Sequence, residues 1–258
     1  MTAVASKPDA VLAELVAMSN HLGARENDYS IIGEGNTSTV ADGESFWVKA
    51  SGSELRTATA ASFVRLSTVR VLAMLEGAEP SDEQVTAWLT ACKCDAKAKV
   101  RPSTEALLHA VCLASPGVRF VGHTHPTAVN ALACSASFEK LATGRLFPDH
   151  VVVCGPSPLL VGYFDPGVPL ARALHKGLLA YTARYGSGPK EVLLQGHGLI
   201  ALGKTSREVE NITAMSVKAH RILAGAMVFG GARFMGQADI DRIHGRSDEA
   251  YRQRVFGG

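Results

Sequence analysis

The sequence predicts a layered α/β domain. Short apolar runs of strand length interleave with longer stretches in which apolar residues recur at helical spacing. With 258 residues, 47% of them hydrophobic, the chain can bury a sizeable core, and no compositional break separates two halves. No repeat period or low-complexity tract interrupts the alternation. A single domain over residues 1–258 is therefore expected.

The elements follow in order. Ala10 to Leu22 carries Val11, Leu12, Leu15, Val16 and Met18 at helical spacing behind Pro8-Asp9, which reads as an amphipathic opening helix. Gly33-Glu34-Gly35-Asn36-Thr37-Ser38 then breaks regular structure. Phe46-Trp47-Val48 reads as a short strand running into a second polar loop, Lys49-Ala50-Ser51-Gly52. The pattern predicts helices over Ala60–Leu75, Asp82–Ala91 and Ser103–Leu113, the last with Ser103 as N-cap behind Pro102. Val118–Val121 reads as a buried strand, and Pro126 permits a helix through Ala133. Val151–Cys154 and Glu191–Leu194 read as strands on either side of a helix over Val168–Tyr185. Leu199–Leu202 reads as another strand and Ser206–Val228 as a long helix.

Composition narrows the function classes. Lys+Arg 26 against Asp+Glu 24 leaves a formal charge of +2, too small for a nucleic-acid footprint or a polybasic membrane arm; small substrates or protein partners are expected instead. Met1 to Ser19 contains Asp9 and Glu14 and lacks a basic start followed by an unbroken apolar block, so it does not read as a signal peptide. No run approaches the roughly 20 apolar residues that cross a bilayer. A soluble cytoplasmic protein without membrane or nucleic-acid partners is the expectation. The cysteines Cys92, Cys94, Cys112, Cys134 and Cys154 contain no Cys-x-x-Cys pair and read as reduced, buried thiols. The single-residue spacer of Cys92-Lys93-Cys94 is awkward for chelation.

The chemistry-bearing residues cluster in a few motifs. On a strand, positions i and i+2 share a face, so His123 and His125 can approach one ion together. His197 lies between Gly196 and Gly198, where a permissive backbone lets a third ring come close. Three neutral imidazoles with an open position suit a catalytic divalent ion, although the spacing alone fits ordinary core histidines equally well. His109, His150, His175 and His220 stand singly and read as structural. Glu105 sits in the first turn behind Pro102-Ser103-Thr104, where the helix dipole favours a carboxylate; beside a metal it would instead serve as a base for the α-proton of a ketone. Gly35-Asn36-Thr37-Ser38, Ser51-Gly52 and the amides after Ser103 are donors of the kind that grip a phosphate, and of the kind that turns use. Gly33-x-Gly35 lacks the third glycine and leading strand of a dinucleotide fingerprint.

Taken in order, Gly35-Asn36-Thr37-Ser38, Lys49-Ala50-Ser51-Gly52, Pro102-Ser103-Thr104-Glu105, His123-Thr124-His125 and Gly196-His197-Gly198-Leu199-Ile200 resemble the class II aldolase/adducin family over roughly residues 10 to 225. The resemblance implies a three-layer α/β/α domain around a mixed, largely antiparallel sheet, and a fourfold homotetramer with sites near subunit interfaces. It implies zinc, with manganese or magnesium as alternatives, held by His123, His125 and His197. It makes Glu105 the acid/base and places Asn36, Ser51, Gly52, Ser103 and Thr104 around a substrate phosphate. A tail from about 232 to 258 resembles that of the aldolase half of bifunctional rhamnulose-phosphate aldolase/dehydrogenases; read by itself it is a charged surface helix.

The expected activity is reversible cleavage of a phosphorylated ketose to dihydroxyacetone phosphate and an aldehyde, through a metal-stabilised enediolate. The resembling epimerases typically carry aspartate at the Glu105 position, which favours the aldolases over them, while related dehydratases and decarboxylases also carry glutamate there. A metal-dependent decarboxylase or 4-epimerase of a sugar-acid or pentose phosphate is the alternative, and a non-enzymatic adducin-like scaffold a further one. For the group that deprotonates the hydroxyl at the cleaved bond, Tyr251, Tyr163 and His150 are the candidates.

Overall fold

The computed structural model describes residues 7–246. Seven strands form one sheet: β1 (Asn36–Val40), β2 (Ser45–Lys49), β3 (Phe63–Ser67), β4 (Phe120–Thr124), β5 (Leu159–Val161), β6 (Glu191–Leu194) and β7 (Gly198–Gly203), in the order β3-β2-β1-β4-β7-β6-β5. Every neighbouring pair is antiparallel except β5 with β6, giving the mixed, largely antiparallel sheet expected. The helices are α1 (Lys7–Leu22), α2 (Thr68–Leu72), α3 (Asp82–Ala91), α4 (Ala106–Leu113), α5 (Thr127–Ala133), α6 (Phe138–Ala142), α7 (Pro148–Cys154), α8 (Val168–Tyr185), α9 (Ser206–Val228) and α10 (Gln237–His244).

The sheet is covered on both faces because its strands are apolar on both. Val192, Leu194, Ile200 and Leu202 join a core with α3, α4 and α8, whereas Leu193, Leu199 and Ala201 join a second core with α1, α5 and α9. This strict alternation along β6 and β7 defines the three layers. Each fully buried Leu or Ile contributes about 1.5–3 kcal/mol. On α9, Val209, Ile212, Ser216, Val217, His220 and Leu223 form the buried stripe. Thr205 caps it, its side chain accepting from the Glu208 N–H. Among the described residues no helix is long and apolar enough to cross a membrane.

Four sequence expectations are corrected. Ala60–Leu75 is not one helix: a 3-10 turn at Ala60–Ser62 leads into β3, then α2 and a second 3-10 turn at Ala73–Leu75. Phe63, Val64 and Leu66 pack on opposite faces of the sheet edge, so cross-strand pairing with β2 prevails over the helical spacing. Val151–Cys154 belongs to helix α7, started by Pro148; its β-branched residues are accommodated because Val151 and Val152 pack against Ile240 and Ile243 of α10. Asn36–Ser38 is not loop but the start of β1, in the middle of the sheet. Cys94 and Cys134 are exposed; Cys92, Cys112 and Cys154 are buried as expected. The short strand β5 and helix α6 had no counterpart in the sequence reading.

Candidate active site

The site forms where β1, β4 and β7 run side by side. Asn36 pairs with His123 across β1 and β4, and His123 pairs with Ile200 across β4 and β7. His123 is fully buried on β4. His125 lies just beyond the strand end, its N–H donating to the Tyr29 carbonyl at 2.8 Å, and still turns to the same side. His197 comes from the tight turn between β6 and β7, which Gly196 enters at φ 62°. A Cβ on Gly198 would stand 2.6 Å from the Thr124 carbonyl oxygen and 2.8 Å from His125 Cδ2, so only glycine lets the two ligand segments approach this closely.

The three Nε2 atoms converge: His125 Nε2 lies 3.0 Å and His197 Nε2 3.2 Å from His123 Nε2. Glu105 Oε1 lies 3.2 Å from His197 Nε2 and 3.5 Å from His123 Nε2. The tautomers are set from behind. His123 Nδ1 is 3.0 Å from the Leu199 carbonyl, which can only accept, so Nδ1 carries the proton and Nε2 a lone pair. His125 Nδ1 is 3.3 Å from Glu34 Oε2, with the same result. Two lone pairs facing each other at 3.0 Å repel unless a cation lies between them. The donor set therefore fits a divalent metal ion, and these three histidines form a group able to hold one.

Charge in the site is coupled. Burial pushes the Glu105 carboxyl up, but the His123 and His197 imidazoles outweigh it and hold the group well below the usual carboxylate range. Burial pushes His123 down, yet the Glu105 carboxylate beside it raises it overall. Burial, then His123 and His197, depress His125 to about 3, the neutral form that a ligand requires.

The Asn36 side-chain amide donates one N–H to Glu105 Oε2, and its Oδ1 is buried without a partner among the described residues. The remaining phosphate candidates do meet. Ser51 N–H donates to the Arg101 carbonyl at 2.9 Å and Ala50 bridges Pro102, so the Ser51-Gly52 loop lies against the segment leading to Ser103 and Thr104. Ser103 is not the N-cap of α4, which starts at Ala106; Ser103 Oγ instead accepts the Glu105 N–H at 3.3 Å, and its carbonyl accepts the Ala106 N–H. Lys49, on β2, is buried, donates from Nζ to the Ser53 carbonyl at 2.5 Å, and is pushed down by burial.

Of the candidates for a second acid/base, His150 lies elsewhere, buried between Arg145 Nη1 at 2.9 Å and the Glu191 carboxylate. Tyr163 flanks the His197 turn, 3.4 Å from where a Gly196 Cβ would be, but its hydroxyl donates to Asp165 at 3.0 Å, which raises its pKa. Tyr251 lies outside the described residues. Two contacts had no sequence signal beyond residue type. One is Glu34 on His125. The other is buried His109, whose Nδ1 is 2.7 Å from Ser38 Oγ, joining α4 to β1 one helical turn beyond Glu105.

Comparison with known proteins follows the same outline. Residues 13–224 match the profile of the class II aldolase and adducin N-terminal domain. A curated relative, the uncharacterized oxidoreductase YuxG of Bacillus subtilis (strain 168), is 28% identical over 242 residues, covering 86% of this chain but 31% of its own length. The chain thus spans about a third of that relative. L-fuculose 1-phosphate aldolase superposes with a TM-score of 0.70 at 18% identity, over 96% of this chain and 98% of that one. The N-terminal class II aldolase domain of a conserved Thermoplasma acidophilum protein superposes with a TM-score of 0.65 at 23% identity, over 87% and 96%. With most of its length matched by the profile, the chain belongs to the class II aldolase/adducin family.

Proposed function

We propose that this protein is a metal-dependent lyase of the cytoplasm that cleaves a phosphorylated ketose reversibly to dihydroxyacetone phosphate and an aldehyde. The observation that carries the reading is the convergence of the His123, His125 and His197 Nε2 atoms on the Glu105 carboxylate. The name of the similarly folded L-fuculose 1-phosphate aldolase supports the substrate class. The oxidoreductase name of the Bacillus relative belongs to a protein of which this chain matches 31%, and hydride transfer forms no part of this reading.

The three histidines hold a divalent cation, zinc being the first choice for an all-imidazole donor set. When bound, such a cation supplies Lewis-acid polarisation of a carbonyl and positive charge for the oxygen that gains electrons. Glu105 takes the proton from the carbon next to the carbonyl and returns it there, while the Asn36 amide holds its second oxygen. Ser51, Gly52, Ser103 and Thr104 line the edge that receives the phosphate, with hydroxyls and backbone N–H groups as donors. Asn36 is thereby reassigned from the phosphate to the base. The assembly is a homotetramer in this reading, which light scattering checks.

The test is a panel of ketose phosphates and sugar-acid phosphates with zinc, manganese or magnesium, read by product mass. Dihydroxyacetone phosphate plus an aldehyde is expected. Carbon dioxide or an epimer as the product overturns the aldol reading in favour of decarboxylation or epimerisation.

A further inference from the structure

We infer that Glu34 is a positioning residue for the cation: it holds His125 in its ligating form and sets how fast the ion leaves. The inference rests on the metal reading proposed above. Of the three imidazoles, His125 is the least confined, with a side chain 19% exposed against 13% for His197 and 0% for His123. It lies beyond the end of β4, and its ring is the least covered of the three.

Glu34 compensates for this. Its Oε2 meets His125 Nδ1 at 3.3 Å, while its Oε1 accepts the Ile31 N–H at 2.7 Å, so the carboxylate is itself held at both oxygens. The loop that delivers it passes through Ile32 at φ 52°. A β-branched residue in the left-handed region is strained, and Ile32, 80% exposed, buries too little to offset that strain locally. The loop carries this conformation in the turn that brings residue 34 over the ring. A carboxylate on the far nitrogen of an imidazole directs the Nε2 lone pair inward and strengthens it as a donor. Glu105 is differently placed, facing the Nε2 atoms themselves.

Two substitutions separate charge from hydrogen bonding: Glu34→Gln keeps an acceptor at Nδ1, and Glu34→Ala removes both. Zinc-loaded protein challenged with a chromophoric chelator is expected to release its ion about 10–100-fold faster in Glu34→Ala, and by a smaller factor in Glu34→Gln. The visible spectrum of the cobalt(II) form shifts in both variants, and the metal-free melting temperature of Glu34→Gln, which keeps an acceptor for the Ile31 N–H, stays near the parental value. Release within about twofold of the parent, with an unchanged cobalt spectrum, overturns the role of Glu34 and leaves the metal centre standing. Should Glu34→Ala not fold, Glu34→Gln decides: several-fold faster release supports the role, parental release overturns it. A parent protein that takes up no divalent cation overturns this inference and the proposed function together.

Discussion

The side-chain amide of Asn36, at the start of β1, donates to the carboxylate of Glu105, the residue that precedes the first turn of α4. One strand and the segment entering one helix thus share the task of aiming a single carboxylate, the acid/base group of the proposed reaction. Asn36→Ala is expected to lower kcat about 10–100-fold with little change in KM, because the carboxylate loses orientation and not affinity for substrate. A raised KM with kcat intact would return Asn36 to the phosphate.

Removing the ion should cost stability as well as activity. Dialysis against a chelator is expected to abolish turnover, and restoring zinc at about 100 times its Kd adds about 2.7 kcal/mol of stability, or about 5–10 °C in Tm for a chain of this size. His125→Ala should abolish both the turnover and the zinc-dependent Tm increment. A thermal melt indifferent to zinc would contradict the centre.

Gly198→Ala tests the close approach of the two ligand segments. The added methyl would sit 2.6 Å from the Thr124 carbonyl oxygen, a backbone atom that cannot swing away, and 2.8 Å from the His125 ring. A loss of about 1–3 kcal/mol in stability, with weaker zinc retention, is expected from denaturation and chelator competition.

Acid should destabilise the fold in two stages. Burial and then Arg145 hold His150 down at about 3 against an ordinary 6.5, and burial and then His123 do the same to His109. Burial pushes Glu191 up, but Arg145 and His150 bring it down to about 2 from an ordinary 4.5. In each case the unfolded chain binds the proton first, so stability falls as pH drops: below about 6.5 through the histidines, and below about 4.5 through Glu191 as well. His150 alone is expected to cost about 2 kcal/mol by pH 5. Denaturant midpoints between pH 8 and 4 check this, and His150→Asn should make the upper limb shallower. Glu191→Gln, which strands a buried Arg145, should cost about 3–5 kcal/mol at neutral pH.

The periodic elements were legible from local pattern: α3, α8, α9, β2, β6 and β7 lie within a residue or two of their expected ranges, because their apolar faces match their final neighbours. Phe63–Ser67 and Val151–Cys154 were misread because tertiary contact decided them: the edge strand gained a partner in β2, and the valine run gained α10. His123, His125, His197 and Glu105 could be named because five ordered motifs together resemble the family; spacing alone left ordinary core histidines and a helix-start carboxylate equally open. The Asn36 amide on Glu105 and the Glu34 carboxylate on His125 span 69 and 91 residues of sequence, and no local pattern records such a contact.

The pairing of His123 with Asn36 on one side and Ile200 on the other has a bearing on assembly of the molecule. The four groups of the proposed metal site come from the segment entering α4, the end of β4 and the β6–β7 turn, and they cannot converge until these three widely separated segments have zipped into the middle of the sheet. A half-folded chain offers at most the neighbouring His123 and His125, a weak chelate. In the proposed centre an ion can only seal a finished sheet and not template it, so refolding is expected to run at the same rate with or without zinc while unfolding slows when zinc is present.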